Sequence, residues 1–393
     1  MTTKKGVWNL QQVRDKQLQS LWTYSGATES WVVGNNASGM LGQNQPAPNH
    51  RSSPVQVPGN TWGGPSSISH LKLSTGIGES WRMWIKTDGT LWGAGNASKV
   101  GSTHPSYPSW SSPKQVGSGT DWRSLSTSWA QTVATKTDGT MYSWGEQSYG
   151  ELGQNNTSTV TSPGQVPGTT WGEFVATSSN SNVSMNIKTD GTLWAWGRNG
   201  FGGLGQNDRT DRSSPIQIPG DWSNPVDMVS KSVIKSDGTL WSWGHNRYGT
   251  LGQNEGSAPS FTGHRSSPTQ IPGSWSRVAR NTYVQLAIKT DGTLWGMGRN
   301  NQGQLAQNNL TDRSSPVQVG SDTTWSDVVV DLGTALAIKT DGTLWAWGDG
   351  NNYGAIGNNT RQVDYSSPVQ IPGTDWKGVG AVNTNGWTAF KNN

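Results

Sequence analysis

Residues 200–205, Gly-Phe-Gly-Gly-Leu-Gly, match the G-x-G-x-x-G pattern that cradles a dinucleotide pyrophosphate. That chemistry needs a strand before the glycines and a helix after them, so that backbone amides face the phosphates. Here the polar run NDRTDRSSP follows, and the loop is one copy of a repeated element. The context therefore argues against a phosphate site. Five histidines, His50, His70, His104, His245 and His264, could ligate a metal, but none falls in H-x-x-x-H spacing and no carboxylates cluster with them. The aspartate of a recurring Asp-Gly-Thr triplet could be a calcium ligand. Turn formation accounts for it, and the D-x-D-x-D-G run of a calcium loop is absent. A lysine precedes each triplet, at 86, 136, 188, 235, 289 and 339, and could form a positive ring for an anionic partner. We favour the alternative, a hairpin residue whose alkyl stem covers a neighbouring aromatic ring.

The chain has no cysteine, which excludes disulfides, thiolate metal sites and cysteine nucleophiles. No nucleophile–base pair or paired acids stand out. The expectation is a non-enzymatic protein with no cofactor and no metal. The chain carries 29 basic and 25 acidic residues with no dense Lys/Arg block, so nucleic acid is not implied. No stretch approaches the ~18 apolar residues of a membrane span. Tryptophan is the remaining chemistry, with 24 copies against 4 phenylalanines. One buried tryptophan removes roughly 200 Å² from water, on the order of 5 kcal/mol. Most occupy repeated positions and read as packing residues. Trp81, Trp110 and Trp129 fall off the repeat and are the candidates for exposed rings that stack on a ligand, such as a host-surface glycan.

The elements that position these residues are repeats. Residues 187–197 and 338–348 both read IKTDGTLWAWG. Asp-Gly-Thr begins at 88, 138, 190, 237, 291 and 341, with spacings of 50, 52, 47, 54 and 50. Such periods mark an array of blade-sized units. A Gly closes the aromatic strand at 34, 95, 145, 197, 244, 298 and 348. Ser/Thr-Ser-Pro begins at 52, 111, 161, 213, 266, 314 and 366, and a Trp opens the next unit at 62, 122, 171, 222, 275, 325 and 376. Asp-Gly between alternating runs predicts a hairpin with a type I′ turn. The Pro-bounded SSPVQ run suits an edge strand.

These three marks occur seven times, but Asp-Gly-Thr only six. The missing turn falls where the chain ends meet. Ala389-Phe390-Lys391 matches the Ala-Ile-Lys before each turn, and ATESWVVGNN (27–36) matches the TDGTLWAWGRN after it. Pairing these two segments in one composite blade closes a ring and leaves no long open edge. The fold class is all-β, a seven-bladed β-propeller over 23–393.

The units resemble the regulator of chromosome condensation repeat family. Trp144-Gly145, Tyr149-Gly150-Glu151-Leu152-Gly153, Trp243-Gly244 and Tyr248-Gly249-Thr250-Leu251-Gly252 carry the resemblance. It implies the propeller fold. The founding member's role, nucleotide exchange on a small GTPase, and a carbohydrate-binding module are the alternative functions. The second unit departs most: LWGAG (91–95) is followed by NASKVGSTHPSYPSW instead of an LGQN loop.

Residues 1–22 lie outside the repeat as an amphipathic leader. Val7, Leu10, Val13, Leu18, Leu21 and Trp22 fall within about one half of a helical wheel, and Val7, Trp8, Leu10, Val13, Leu18 and Leu21 are the candidate partner-binding residues. No apolar run of a signal peptide is present. GVWNLQQVRDKQLQSLW resembles the start of marine bacteriophage virion structural proteins. That resemblance implies a virion location, in multiple copies, with capsid, portal or tail proteins as partners.

Overall fold

The computed structural model describes residues 28–45, 49–64, 75–97, 99–101, 109–177, 182–255, 263–351, 353–383 and 385–392. The leader, His70 and His104 lie outside the described residues. The described strands form seven four-stranded antiparallel sheets. The protein is a seven-bladed β-propeller. In a typical blade the strands Trp171–Thr177, Val183–Lys188, Leu193–Gly197 and Arg212–Ile218 lie side by side in chain order. The first strands of all seven blades surround a narrow central channel of about 140 Å³, lined by small and β-branched residues such as Thr75, Thr127, Ala176 and Val229. The fourth strands form the rim, where a Pro costs no ladder bond to a further neighbour.

Local sequence explains the hairpins, with one correction. The turn is not type I′. Gly89 N donates to Lys86 O at 2.9 Å and Lys86 N to Thr90 O at 3.0 Å. Only the glycine adopts positive φ, 76° at Gly89 and 82° at Gly191. This is a type I turn followed by a left-handed residue in a G1 bulge, the usual three-residue hairpin loop. The aspartate is needed for its side chain rather than its backbone. Asp190 Oδ1 accepts from Thr192 N at 3.0 Å and from Thr192 Oγ1 at 2.6 Å. The glycine closing the third strand has a steric reason. At Gly197, φ is 102°, and a Cβ would stand 2.3 Å from Asn182 O.

The composite blade is assembled from both chain ends. Its order is Arg51–Gln56, Thr28–Gly34, Gly386–Asn392, Trp376–Asn383. The two central strands pair over seven residues, from Thr28 opposite Asn392 to Gly34 opposite Gly386. A buried arginine of the neighbouring blade holds this seam. Arg82, on Trp81–Ile85, donates Nη1 to Trp387 O at 2.6 Å and Thr388 Oγ1 at 3.0 Å, and Nη2 to Val33 O at 2.7 Å. One side chain thus bonds a strand from each end of the chain.

Blades are also stitched at the rim. The last Asn of each LGQN-type loop sits at positive φ and donates its N–H to the Ser of the next blade's edge strand. Asn155 N meets Ser213 O, Asn207 N meets Ser266 O, and Asn359 N meets Ser52 O. The unit that lacks LGQN has no equivalent bond among the described residues. It differs inside as well. Ala94 stands where four other blades place Trp144, Trp196, Trp243 and Trp347, and Trp84 on the second strand fills the space. Trp84 lies 5.8 Å from Trp62 at 50°, close to the 6.0 Å and 59° between Trp196 and Trp171.

Candidate functional site

The antiparallel order places the Asp-Gly-Thr turns and the entering tryptophans at one end of the propeller, and the longer loops at the other. At the turn end each hairpin lysine is caged by two aromatic rings. Lys188 Nζ lies 4.7 Å from the Trp171 ring centre and 4.3 Å from that of Trp194. Lys86, Lys235, Lys289 and Lys339 repeat this between pairs of tryptophans, and Lys136 lies between Trp122 and Tyr142. Lys391 completes the ring between Trp31 and Trp376. The lysines therefore cover aromatic rings, as favoured from sequence. Lys136, Lys339 and Lys391 also pair with Asp121, Asp322 and Asp375, and their side chains are only 12–20% exposed. They do not offer an open positive ring.

The turn tightens each cage. Trp194 Nε1 donates to Thr192 Oγ1 at 2.8 Å, and that hydroxyl donates to Asp190. The same relay runs from Trp92, Trp241, Trp295 and Trp345. In the composite blade Trp31 donates directly to Glu29 Oε2 at 3.0 Å. Threonine hydroxyl bonds hold Asp138, Asp190, Asp237, Asp291 and Asp341 below the usual carboxylate range. At Asp88 burial acts the other way, and the Thr90 bonds with Lys86 outweigh it. A carboxyl whose folded pKa is depressed adds stability above its unfolded pKa, and loses it as pH falls through the folded value. Melting temperature should therefore stay level from neutrality to about pH 4 and fall below it. An Asp190→Asn/Asp341→Asn variant should show a shallower acid limb. An unchanged limb would remove the turns from the acid response.

At the loop end the three off-repeat tryptophans separate. Trp129 is 54% exposed, beside a depression of about 590 Å³ lined by Asn35, Glu79, Asn96, Tyr353 and Asn385 among others. The expectation of exposure fails for the other two. Trp81 is 1% and Trp110 7% exposed, both packed with Met83, Val100 and Trp144. They fill the core between this blade and the next, alongside Leu125 and Ala134. His50 Nδ1 accepts from Asn36 N at 3.0 Å, and His245 and His264 lie 4.9 Å apart. Among the described residues no group of three or more His, Asp or Glu could hold a metal. The glycines at 200–205 form a turn in which Gly205 N donates to Gly202 O at 3.2 Å, and an edge strand follows instead of a helix. One residue that sequence reading passed over stands out here: Lys231, a buried lysine beside this loop.

The regulator of chromosome condensation (RCC1) repeat model matches residues 138–184, 190–231, 237–287 and 291–330. Over these segments, which make up under half of the chain, the sequence is similar to RCC1 repeats. The chain is 27% identical over 197 residues to the ultraviolet-B receptor UVR8 of Arabidopsis thaliana, which covers 48% of this chain and 43% of that one. It is 31% identical over 90 residues to human protein RCC2, 23% of this chain and 17% of that one. It thus spans under half the length of these relatives. In structure the propeller superposes on Prp20p of Saccharomyces cerevisiae with a TM-score of 0.75 at 18% identity, covering 93% of this chain and 91% of that one. It superposes on human WBSCR16 with a TM-score of 0.73 at 19% identity, covering 92% and 99%. Prp20p is described with binding to Gsp1p and histones. At these identities the likeness concerns the fold alone.

Proposed function

We propose that this RCC1-repeat propeller is a non-catalytic structural and binding component of a bacteriophage particle, docked through residues 1–22 with its propeller turned outward. One observation carries the reading: the ring closes through Thr28–Gly34 and Gly386–Asn392, so closure makes no demand on the leader. The leader's apolar set, Val7, Trp8, Leu10, Val13, Leu18 and Leu21, is then available for a capsid, portal or tail protein. Its resemblance to the start of virion structural proteins supports the same assignment. Burying such a set offers on the order of 8–12 kcal/mol before ordering costs, enough for docking to a preformed groove or in several copies. Deletion of residues 1–22 should leave the melting temperature within a degree or two and abolish incorporation into particles, read by mass spectrometry of purified virions. Normal copy number of the shortened protein would overturn the reading. So would its unfolding.

A second reading, carbohydrate binding, is favoured by Trp129 alone, an exposed indole beside amides and the Glu79 carboxylate. Nucleotide exchange is the third. Accelerated GDP release from a host GTPase would establish it in place of the particle role.

A further inference from the structure

A second cavity at the loop end, of about 280 Å³, lies where three consecutive blades meet. Arg198, Phe201 and Gly203 come from one blade, Lys231, His245 and Arg247 from the next, and Thr282 and Tyr283 from the third. Two arginines and a lysine line it, and no carboxylate does among the described residues. Its aromatic wall is continuous. Phe201 lies 5.0 Å from His245, and His245 lies 5.6 Å from Tyr283. A further guanidinium lies behind the wall: Arg280 donates Nη1 to Lys231 O and Trp243 O, each at 2.8 Å, and Nη2 to His245 O at 3.1 Å.

Lys231 is the unusual member. It is 1% exposed and sits at a φ of 66°, a conformation that L-residues adopt at a cost and retain mainly where surroundings or function demand it. Four residues before the hairpin lysine, the other units carry Arg82, Thr132, Ser184, Gln285, Ala335 and Trp387. The one other cation, Arg82, is committed to the seam. Burying an ammonium is costly, and a neighbouring guanidinium adds to that cost. Burial pushes Lys231 well below the usual lysine range, with Arg280 acting in the same direction. His245 is pushed down to about 3 by burial, with His264, Lys231 and Arg280 adding to the effect.

We propose that this cavity binds a small ring-shaped ligand bearing one oxyanion group, the oxyanion directed to Lys231, Arg198 and Arg247 and the ring laid against Phe201 and Tyr283. The volume falls near the lower limit of ligand pockets, which restricts the occupant to a single small ring. A carboxylate and a phosphate share this chemistry. The inference is independent of attachment to a particle, since the site is complete in one chain.

Isothermal titration of the purified full chain tests it with glucuronate, phenyl phosphate and glucose. One or both anionic probes should bind at one site per chain, and glucose should not. Binding of glucuronate alone selects a carboxylate, and binding of phenyl phosphate alone selects a phosphate. An Arg198→Gln/Arg247→Gln variant should bind at least about tenfold more weakly, the loss expected when charge-assisted bonds are removed. Both arginines reach the surface, so this variant should fold. Lys231→Met should abolish binding while keeping a cooperative melt; if it does not fold, the double-arginine variant decides. Absence of binding by either anionic probe at millimolar concentration overturns the proposal. So does equal affinity in the double variant, or binding of glucose as tight as that of the anions.

Discussion

Trp196→Ala should lower the free energy of unfolding by about 3–5 kcal/mol, the cost of emptying a large core site. Trp194→Ala, two residues away on the same strand, should cost about 1–3 kcal/mol. The two side chains share a face, and both touch the ring of Trp171. Their surroundings differ. Trp196 is fully buried, and its indole N–H crosses the blade interface to Glu151 O at 2.8 Å. Trp144, Trp243 and Trp347 make the same crossing, to Lys99 O, Gly203 O and Gln304 O. Truncation there removes area, leaves a cavity and takes one of two donors from the Glu151 carbonyl, Ser184 Oγ remaining at 3.0 Å. Trp194 is half-buried and walls the Lys188 cage, so its loss exposes one face of a partly solvated cation. Denaturant midpoints of the two variants check the ranking. A Lys188→Ala cycle with Trp194→Ala should show coupling, and one with Trp196→Ala should not. Equal losses in both single variants would refute the division of roles.

Arg82→Met should cost a similar amount, about 3–5 kcal/mol, although the replacement is apolar and comparable in length. The reason is asymmetry. Replacing both partners of a buried polar contact can be neutral, but here the acceptors remain. Val33 O and Trp387 O, which face each other in the seam ladder, would each lose a charge-assisted donor to a thioether, at about 1–3 kcal/mol apiece. The damage should be local. Hydrogen exchange of Val32–Gly34 and of residues 386–391 should accelerate strongly, while the strand Val284–Lys289, on a distant blade, should keep its protection. Uniform acceleration around the ring would mean that Arg82 supports global stability instead of the seam. Unchanged exchange at the seam would remove it from closure altogether.

Most of the scaffold was legible because its determinants are local and repeated. A turn glycine, a bulge glycine and an edge proline each constrain φ within a few residues, and seven copies of one error-prone signal make a strong one. The count of blades and the pairing of Ala389-Phe390-Lys391 with the first strand followed from one missing turn. The turn type did not, because Asp-Gly suits two hairpin loops and the choice rests on where the glycine falls in the ladder. Leaving the repeat register was taken as a sign of exposure. That holds for Trp129, in a short loop, and fails for Trp81 and Trp110, which pack into the core between their blade and the next.

What only the tertiary structure decided are contacts between residues that no period connects. Each lysine cage takes its rings from two strands and its cation from a third, so the ammonium itself, and not the alkyl stem alone, is held against two rings. Arg82 reaches a carbonyl 305 residues away because the ring brings the chain's ends beside its first intact blade. The cavity around Lys231 draws its lining from three blades, which only ring closure sets side by side. Sequence determined the blade, since hydrogen bonding and side-chain alternation act over short separations. The seam and the cavity arise from closure, which sets distant segments face to face and buries charge that a linear reading leaves in water.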